Sequence, residues 1–434
     1  MQRVHPFERI ILPNGLTVLA YQMKDVMSAF AALYVRVGAV YEKGSERGIS
    51  HFTEHAALLG TKKYPSPLEI SQTTQNLGAT YDGWTDRFST LYWVKLPHTN
   101  LKTGIDFLGQ LVFEPLLNEE SILKEKTVVL SEFNDFWQDP ERRFEHETWR
   151  KRFKAKEHPY SYRSLGIPET IRAFDKKAVV DLRHKYYHPA NMILSLAGNF
   201  EAEKLVPSIE KAFGKEKAGK KSKEPKFASD DYSPFSLYFQ KEPRDQIYFI
   251  LSFPAFGWRE VKRKERLTLR LLNHILGVGP ASRLFQRIRE KERLVYRVSS
   301  NVILHPWMGA LEIWGTVPKD KLLATMRIVM QEVENVTKFG VKRKEITLAK
   351  NFISASTLMR FDNPEAIAYF FGDQEFNEEE IWPPERYISE AEKITKGEID
   401  ALAKKIFDYK RVNINLLGNI PQKALTQIEN LFRS

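Results

Sequence analysis

His51, Glu54 and His55 form the pattern H-x-x-E-H, and these three side chains could do hydrolytic chemistry together. In a helix, residues four apart lie on one face about one turn from each other, so both imidazoles can reach one ion. Glu54 follows His51 by three residues, falls on the same face, and can aim a carboxylate at a water without being a ligand itself. Two imidazoles and one carboxylate are the ligand set of hydrolytic zinc sites that keep a fourth position open. The pattern therefore calls for a third ligand, a distant acid. A hydrogen-bonded or solvated histidine pair is the bland alternative, and the pentapeptide alone leaves both open.

A helix must carry the motif. Ala56 to Leu59 supply an apolar face and Gly60 a stop, while Gly48 or Ser50 stands where the helix would start. A second long helix is expected over Glu119 to Asp139, where Ile122, Leu123, Val128, Val129, Leu130, Phe133 and Phe136 recur with helical spacing. Glu125 and Glu132 lie seven apart on it, two turns along one face. Carboxylates sharing a face with core residues are costly to bury unless paired or bound to a metal. Periodicity alone equally allows both to face solvent or to pair with Lys124 and Lys126.

At this point the chain resembles the pitrilysin-like metallopeptidases, which include insulin-degrading enzyme and the processing peptidases. The resemblance rests on H-x-x-E-H followed, after 76 residues, by Glu132. It extends to Leu12-Pro13-Asn14-Gly15-Leu16, to Gly60-Thr61, and to Tyr187-His188-Pro189-Ala190-Asn191-Met192 before a strand ending Ala197-Gly198-Asn199. It implies that His51, His55 and Glu132 bind one Zn²⁺ per chain, that Glu54 is the general base, and that Glu125 is a supporting acid. It further implies that Arg289 and Tyr296 bind substrate and stabilise an oxyanion. The spacing of these two, read as a helix, places them two turns apart near one face. Asp82-Gly83-Trp84-Thr85 stands where the family usually has Asn-Ala-x-Thr on an edge strand that pairs with the substrate backbone. Asp82 and Thr85 are therefore candidate substrate contacts, with Asp82 and Gly83 departing from the usual residues.

The length, 434 residues, exceeds one ordinary domain. A lysine-rich stretch, residues 215–226, holds six Lys and two Glu and reads as a solvated linker. It carries +4 of the net +11 charge and has no interleaved aromatic groups, so a nucleic-acid partner is not expected. Around it the chain repeats. Asn191 to Asn199 parallels Arg411 to Asn419 at an offset of 220, and Ile209 to Phe213 parallels Ile428 to Phe432 at 219. Gly38 and Gly257, each closing a strand, are again 219 apart. The expected organisation is an N-terminal zinc-binding domain (1–214), a linker (215–231) and a homologous C-terminal domain (232–434). In the second copy Arg270 and Asn273 stand at the His51 and Glu54 positions, and only His274 matches His55. That copy cannot hold the metal, and His274 reads as a packing histidine.

Strand composition over Phe88 to Leu96, with helical candidates at Asn118 to Phe153 and Pro318 to Phe339, gives an α+β class: two related domains, each a mostly antiparallel sheet packed against helices. Gly277 to Phe285 lacks the third glycine of a nucleotide loop, and His158-Pro159-Tyr160 resembles a structural turn of the family. There is no cysteine, which excludes disulfides and thiolate sites and suits a cytoplasmic setting. No window of about 20 apolar residues would span a membrane, and Met1 to Glu8 lacks a secretory core. The resemblance implies a zinc endopeptidase acting on peptides or unfolded segments in a dimeric chamber. A homodimer is expected, with a heterodimer as the variant. The competing reading is a non-catalytic scaffold or partner subunit of a related heteromeric peptidase.

Overall fold

A computed structural model describes residues 7–155, 158–227, 232–377 and 379–433. Part of the amino-terminal stretch read for a secretory core, and residues 228–231 of the expected linker, lie outside these. The described part of the lysine-rich stretch carries neither helix nor strand over 217–227.

The chain forms two compact units. The first holds a six-stranded sheet in the order β1-β2-β6-β3-β5-β4, built from Phe7–Ile11, Thr17–Gln22, Ser28–Val35, Thr80–Thr85, Thr90–Pro97 and Met192–Gly198, numbered β1 to β6 along the chain. The second holds β7 (Ser236–Lys241), β8 (Gln246–Ala255), β9 (Arg297–His305), β10 (Met308–Pro318) and β11 (Asn413–Gly418) in the order β7-β11-β8-β10-β9. The two orders match strand for strand from β2 and β7 onward. In each sheet a single parallel pair joins the last strand to an early one, Gln22 opposite Gly198 and Lys241 opposite Gly418. All other pairs are antiparallel. The repeat read from the sequence is thus a repeat of topology.

Alternation along β3 explains the layering. Successive strand residues point to opposite faces. Ala29, Ala31 and Leu33 join one core with Phe52, Ile105, Leu108 and Phe213 from the helices. Phe30, Ala32 and Tyr34 join another with Ile367, Ala368 and Phe371. A strand apolar on both faces needs cover on both. In the first unit the second cover is the helix Pro364–Phe376. In the second unit Phe144, from the helix Pro140–Arg150, packs with Ile250 and Leu417. The units therefore do not follow the chain's two halves segment for segment: 138–161 counts with the second unit and 359–381 with the first. Domain limits drawn at 214 and 232 miss this because the repeat marks strands, while the exchanged helices are chosen by the apolar second face of each sheet.

The expected helix from Asn118 to Phe153 is broken. Glu119–Gln138 is one helix, and Asp139 then accepts hydrogen bonds from Glu141 N and Arg142 N to start another at Pro140. The strand expected over Phe88 to Leu96 runs Thr90–Pro97. Within the Pro318 to Phe339 expectation, β10 extends to Pro318 and the helix is Leu322–Phe339.

The Pro364–Phe376 helix places one acid against the first sheet. The Tyr34 hydroxyl donates to Asp373 Oδ1 at 3.2 Å, and burial pushes the Asp373 carboxyl up to about 6. A folded-state value above the unfolded one means that stability is full below about pH 4 and is lost as pH rises through about 6. Asp373 keeps substantial contact with solvent, which screens the effect; relative to wild type, Asp373→Asn is expected to gain at most about 1 kcal/mol of stability between pH 4 and pH 7, read from urea unfolding at both pH values. An equal difference at the two would refute this.

Candidate metal centre

The motif helix is Ile49–Ala57. Gly48 begins it at φ +93°, and a β-carbon there would meet Gly166 Cα at 2.7 Å. Neither Gly48 nor Ser50 supplies a side-chain cap. Glu42 does this instead: its buried carboxylate accepts from Gly48 N at 2.7 Å and Ser50 N at 2.9 Å. An acid at a helix start also meets the positive end of the helix dipole. Burial pushes the Glu42 carboxyl up to about 7, against these two amides that favour its charged form. Sequence reasoning missed Glu42, since nothing local marks an acid eight residues ahead of Ser50 as its cap.

One turn into the helix, His51 Nε2 and His55 Nε2 lie 3.2 Å apart. Glu132, from the Glu119–Gln138 helix, brings Oε2 to 3.6 Å from the first and 3.5 Å from the second. Zinc bonds of about 2.0–2.1 Å in a tetrahedron separate ligand atoms by about 3.3 Å. The three atoms thus stand at the spacing one ion requires. Burial, followed by the nearby His55, lowers the His51 imidazole to about 3, which makes it the neutral lone-pair donor that metals bind. Among the described residues these three form the one cluster of acids and histidines suited to a metal. The residues present therefore fit zinc.

Glu125 sits two turns before Glu132 and contacts His55 Nδ1 at 2.8 Å. With the proton on Nδ1 donated to Glu125, the Nε2 lone pair is turned to the cluster. Burial alone would lower His55; the Glu125 hydrogen bond and the charges of Glu54, Glu132 and Glu125 outweigh it and raise its pKa. The lysines that could have claimed these acids are engaged elsewhere: Lys124 pairs with Glu120 at 2.6 Å, and Lys126 donates to Arg172 O at 2.9 Å. Glu125→Ala is expected to weaken zinc binding about 10–100-fold. Chelator competition measures this, and an unchanged affinity would dismiss the supporting role.

Glu54 is buried and lies outside the three-atom cluster. Its Oε2 accepts from the Thr85 hydroxyl at 2.8 Å, and burial pushes the carboxyl up to about 7. A group titrating near neutrality suits taking and returning one proton. β4 is the sheet's edge, paired with β5 on one side. Asp82 is exposed there, with Oδ1 accepting from Gly83 N at 2.8 Å. Thr85, expected among the substrate contacts, is buried with its hydroxyl turned to Glu54.

Arg289 and Tyr296 belong to the second unit, and the helical reading of their spacing does not hold. A π-helical turn over Phe285–Lys291 ends at Glu292, Arg293 takes φ +52°, and Tyr296 falls in the segment before β9. The turn, not a helix face, brings the Arg289 guanidinium to 5.8 Å from the Tyr296 ring. Tyr296 is 71% exposed. In the same unit His274 packs 4.9 Å from the Phe352 ring and partial burial lowers its pKa, as suits a packing histidine. His158 opens a turn and stacks on Phe153 at 4.1 Å.

Fold and site together define a class: an α+β chain of the metallopeptidase type. Residues 17–160 match the family model described as Insulinase (Peptidase family M16), and residues 173–353 that described as Peptidase M16 inactive domain. The latter spans Arg270 and Asn273, which stand at the His51 and Glu54 positions of the repeat. An uncharacterized zinc protease of Rickettsia felis is 30% identical over 396 residues, covering 91% of this chain and 94% of its own. One from Bacillus subtilis is 25% identical over 419 residues, covering 95% and 99%. The crystal structure of a Helicobacter pylori protease shares the fold, with a TM-score of 0.84 at 20% identity over 95% of this chain and 100% of that one. The chain belongs to the insulinase (M16) family of peptidases. Among the described residues no helix is long and apolar enough to cross a membrane.

Proposed function

We propose that the chain is a zinc-dependent endopeptidase that hydrolyses peptides or unfolded segments. The observation that carries this reading is the near-equilateral set of His51 Nε2, His55 Nε2 and Glu132 Oε2, with the Glu54 carboxylate beside it and not within it. Zinc held by these three side chains supplies Lewis acidity, lowering the pKa of a water from 15.7 toward ~7 and polarising a peptide carbonyl. Glu54 takes the proton of the attacking water and returns it to the leaving amine. Glu125 holds the His55 tautomer. The free edge of β4 offers main-chain groups to an extended peptide, a mode that needs no particular side chain. Asp82 stands exposed beside that edge. To Arg289 and Tyr296 we assign substrate binding and stabilisation of the developing oxyanion. The acting form in this reading is a homodimer in the cytoplasm with one zinc per chain. Sedimentation of the active species at about 50 kDa would refute the dimer.

The test is hydrolysis of an internally quenched peptide by the purified chain alone. Cleavage that disappears in Glu54→Gln supports the reading. Zinc bound at one per chain without cleavage turns it toward a scaffold or a partner-dependent subunit.

A further inference from the structure

Glu54 presents a physical problem that the peptidase reading does not resolve. The residue is 4% exposed, and its carboxylate needs neutralisation by a proton, a donor or a cation. It stands on the same helix face as two metal ligands and is of the same chemical type as the third. Coordination would satisfy it, but a fourth protein ligand closes the position that separates a catalytic zinc site from a structural one.

We propose that Thr85 is a positioning residue that keeps Glu54 out of the metal's ligand set by donating its buried hydroxyl to Glu54 Oε2. This rests on the metallopeptidase reading above and deepens it.

Three observations fix the contact. Thr85 is 9% exposed and its Oγ1 lies 2.8 Å from Glu54 Oε2. A hydroxyl has one proton to give, and of the two acceptors in reach Glu54 Oε2 is much the nearer, at 2.8 Å against 3.4 Å for Thr90 Oγ1. Thr85 is in turn held by the β4–β5 ladder, directly opposite Thr90. Thr90 Oγ1 donates to Val37 O at 3.1 Å, so towards Thr85 it can only accept, and at 3.4 Å it is the weaker of the two acceptors open to the Thr85 proton. Finally, Gly83 lies two residues before Thr85 on the same face of β4. A β-carbon there would fall 2.8 Å from Glu54 Oε1 and 2.9 Å from its Cγ. The Glu54 side chain thus lies flat on bare strand backbone, with the Thr85 hydroxyl at its tip. The edge strand proposed to receive substrate is also the strand that aims the base.

The full chain carrying Thr85→Val tests this, because the substitution keeps the shape and removes the donor. Zinc affinity by chelator competition and kcat and KM on a quenched peptide are read together. Zinc is expected to bind about 10-fold tighter or more as Glu54 joins the ligands, while kcat falls about 10–100-fold from the lost aim of the base and KM stays within about two-fold. Thr85→Ser restores both quantities. Adding Glu54→Gln to Thr85→Val returns zinc affinity to the wild-type value. Zinc affinity that is unchanged or weaker in Thr85→Val overturns the proposal, since a merely structural threonine would loosen the site. Should Thr85→Val not fold, Thr85→Ala carries the same readout. The zinc arm is independent of turnover: a zinc-loaded wild-type chain that cleaves no peptide would refute the peptidase reading, whereas Thr85 is judged by zinc affinity alone.

Discussion

Glu54→Gln is expected to lower kcat by about 10²–10⁴-fold, the range that a positioned general base contributes, with zinc retained at one per chain. The substitution is close to isosteric. Glutamine still accepts the Thr85 hydroxyl through its amide oxygen, so the bond at 2.8 Å survives. His51, His55 and Glu132 keep their mutual spacing because Glu54 is not among the clustered atoms. What disappears is the proton acceptor. The variant should therefore bind peptide with nearly unchanged KM and bind zinc as wild type does. Full activity in a zinc-loaded Glu54→Gln chain would remove Glu54 from the mechanism. Loss of zinc along with activity would instead mean that it is a ligand.

The second large effect is expected from the ligands. His55→Ala should leave the purified chain with no stoichiometric zinc after dialysis, and peptide cleavage at background. His55 contributes two things at once: its Nε2 faces the cluster, and its Nδ1 gives Glu125 its hydrogen-bond partner at 2.8 Å. Removing the ring breaks the three-atom set and leaves Glu125 without that partner. In wild type, a chelator should abolish cleavage, and added zinc should restore it. Metal analysis beside the activity assay decides the matter. Cleavage by zinc-free His55→Ala would show that hydrolysis does not use this centre.

Much of this site was legible in the sequence because its chemistry is local. Four-residue spacing on a helix brings His51 and His55 together whatever the tertiary fold, and Glu125 and Glu132 share a face for the same reason. Which of the two acids faces both Nε2 atoms and which the far side of His55 is a tertiary question, and only the family resemblance assigned Glu132 to the first. The repeat was readable because its strands end in the same residues, Gly198-Asn199 and Gly418-Asn419, and both sheets have the same order. Three features lay beyond sequence reasoning. Glu42 caps the motif helix from outside its own element. Tyr296 approaches Arg289 through a turn, since the chain leaves helical geometry at Glu292 and Arg293. The Pro140–Arg150 and Pro364–Phe376 helices each join the unit of the opposite half, because periodicity shows that a helix has an apolar side and not which sheet will receive it.

That exchange makes neither half of the chain self-sufficient. A fragment ending near residue 214 would retain every zinc ligand and Glu54, yet would lack the helix that supplies Ile367, Ala368 and Phe371. Phe30, Ala32 and Tyr34 would then open to water as one contiguous apolar surface, the kind that drives association and precipitation. The half with the metal cluster thus depends for solubility on a stretch of polypeptide made about 150 residues later. A ribosome that has finished the metal-binding residues has not yet made a chain able to stand alone. Dissecting this protein into an active piece and an inactive piece would divide the ligands cleanly and the folding unit badly.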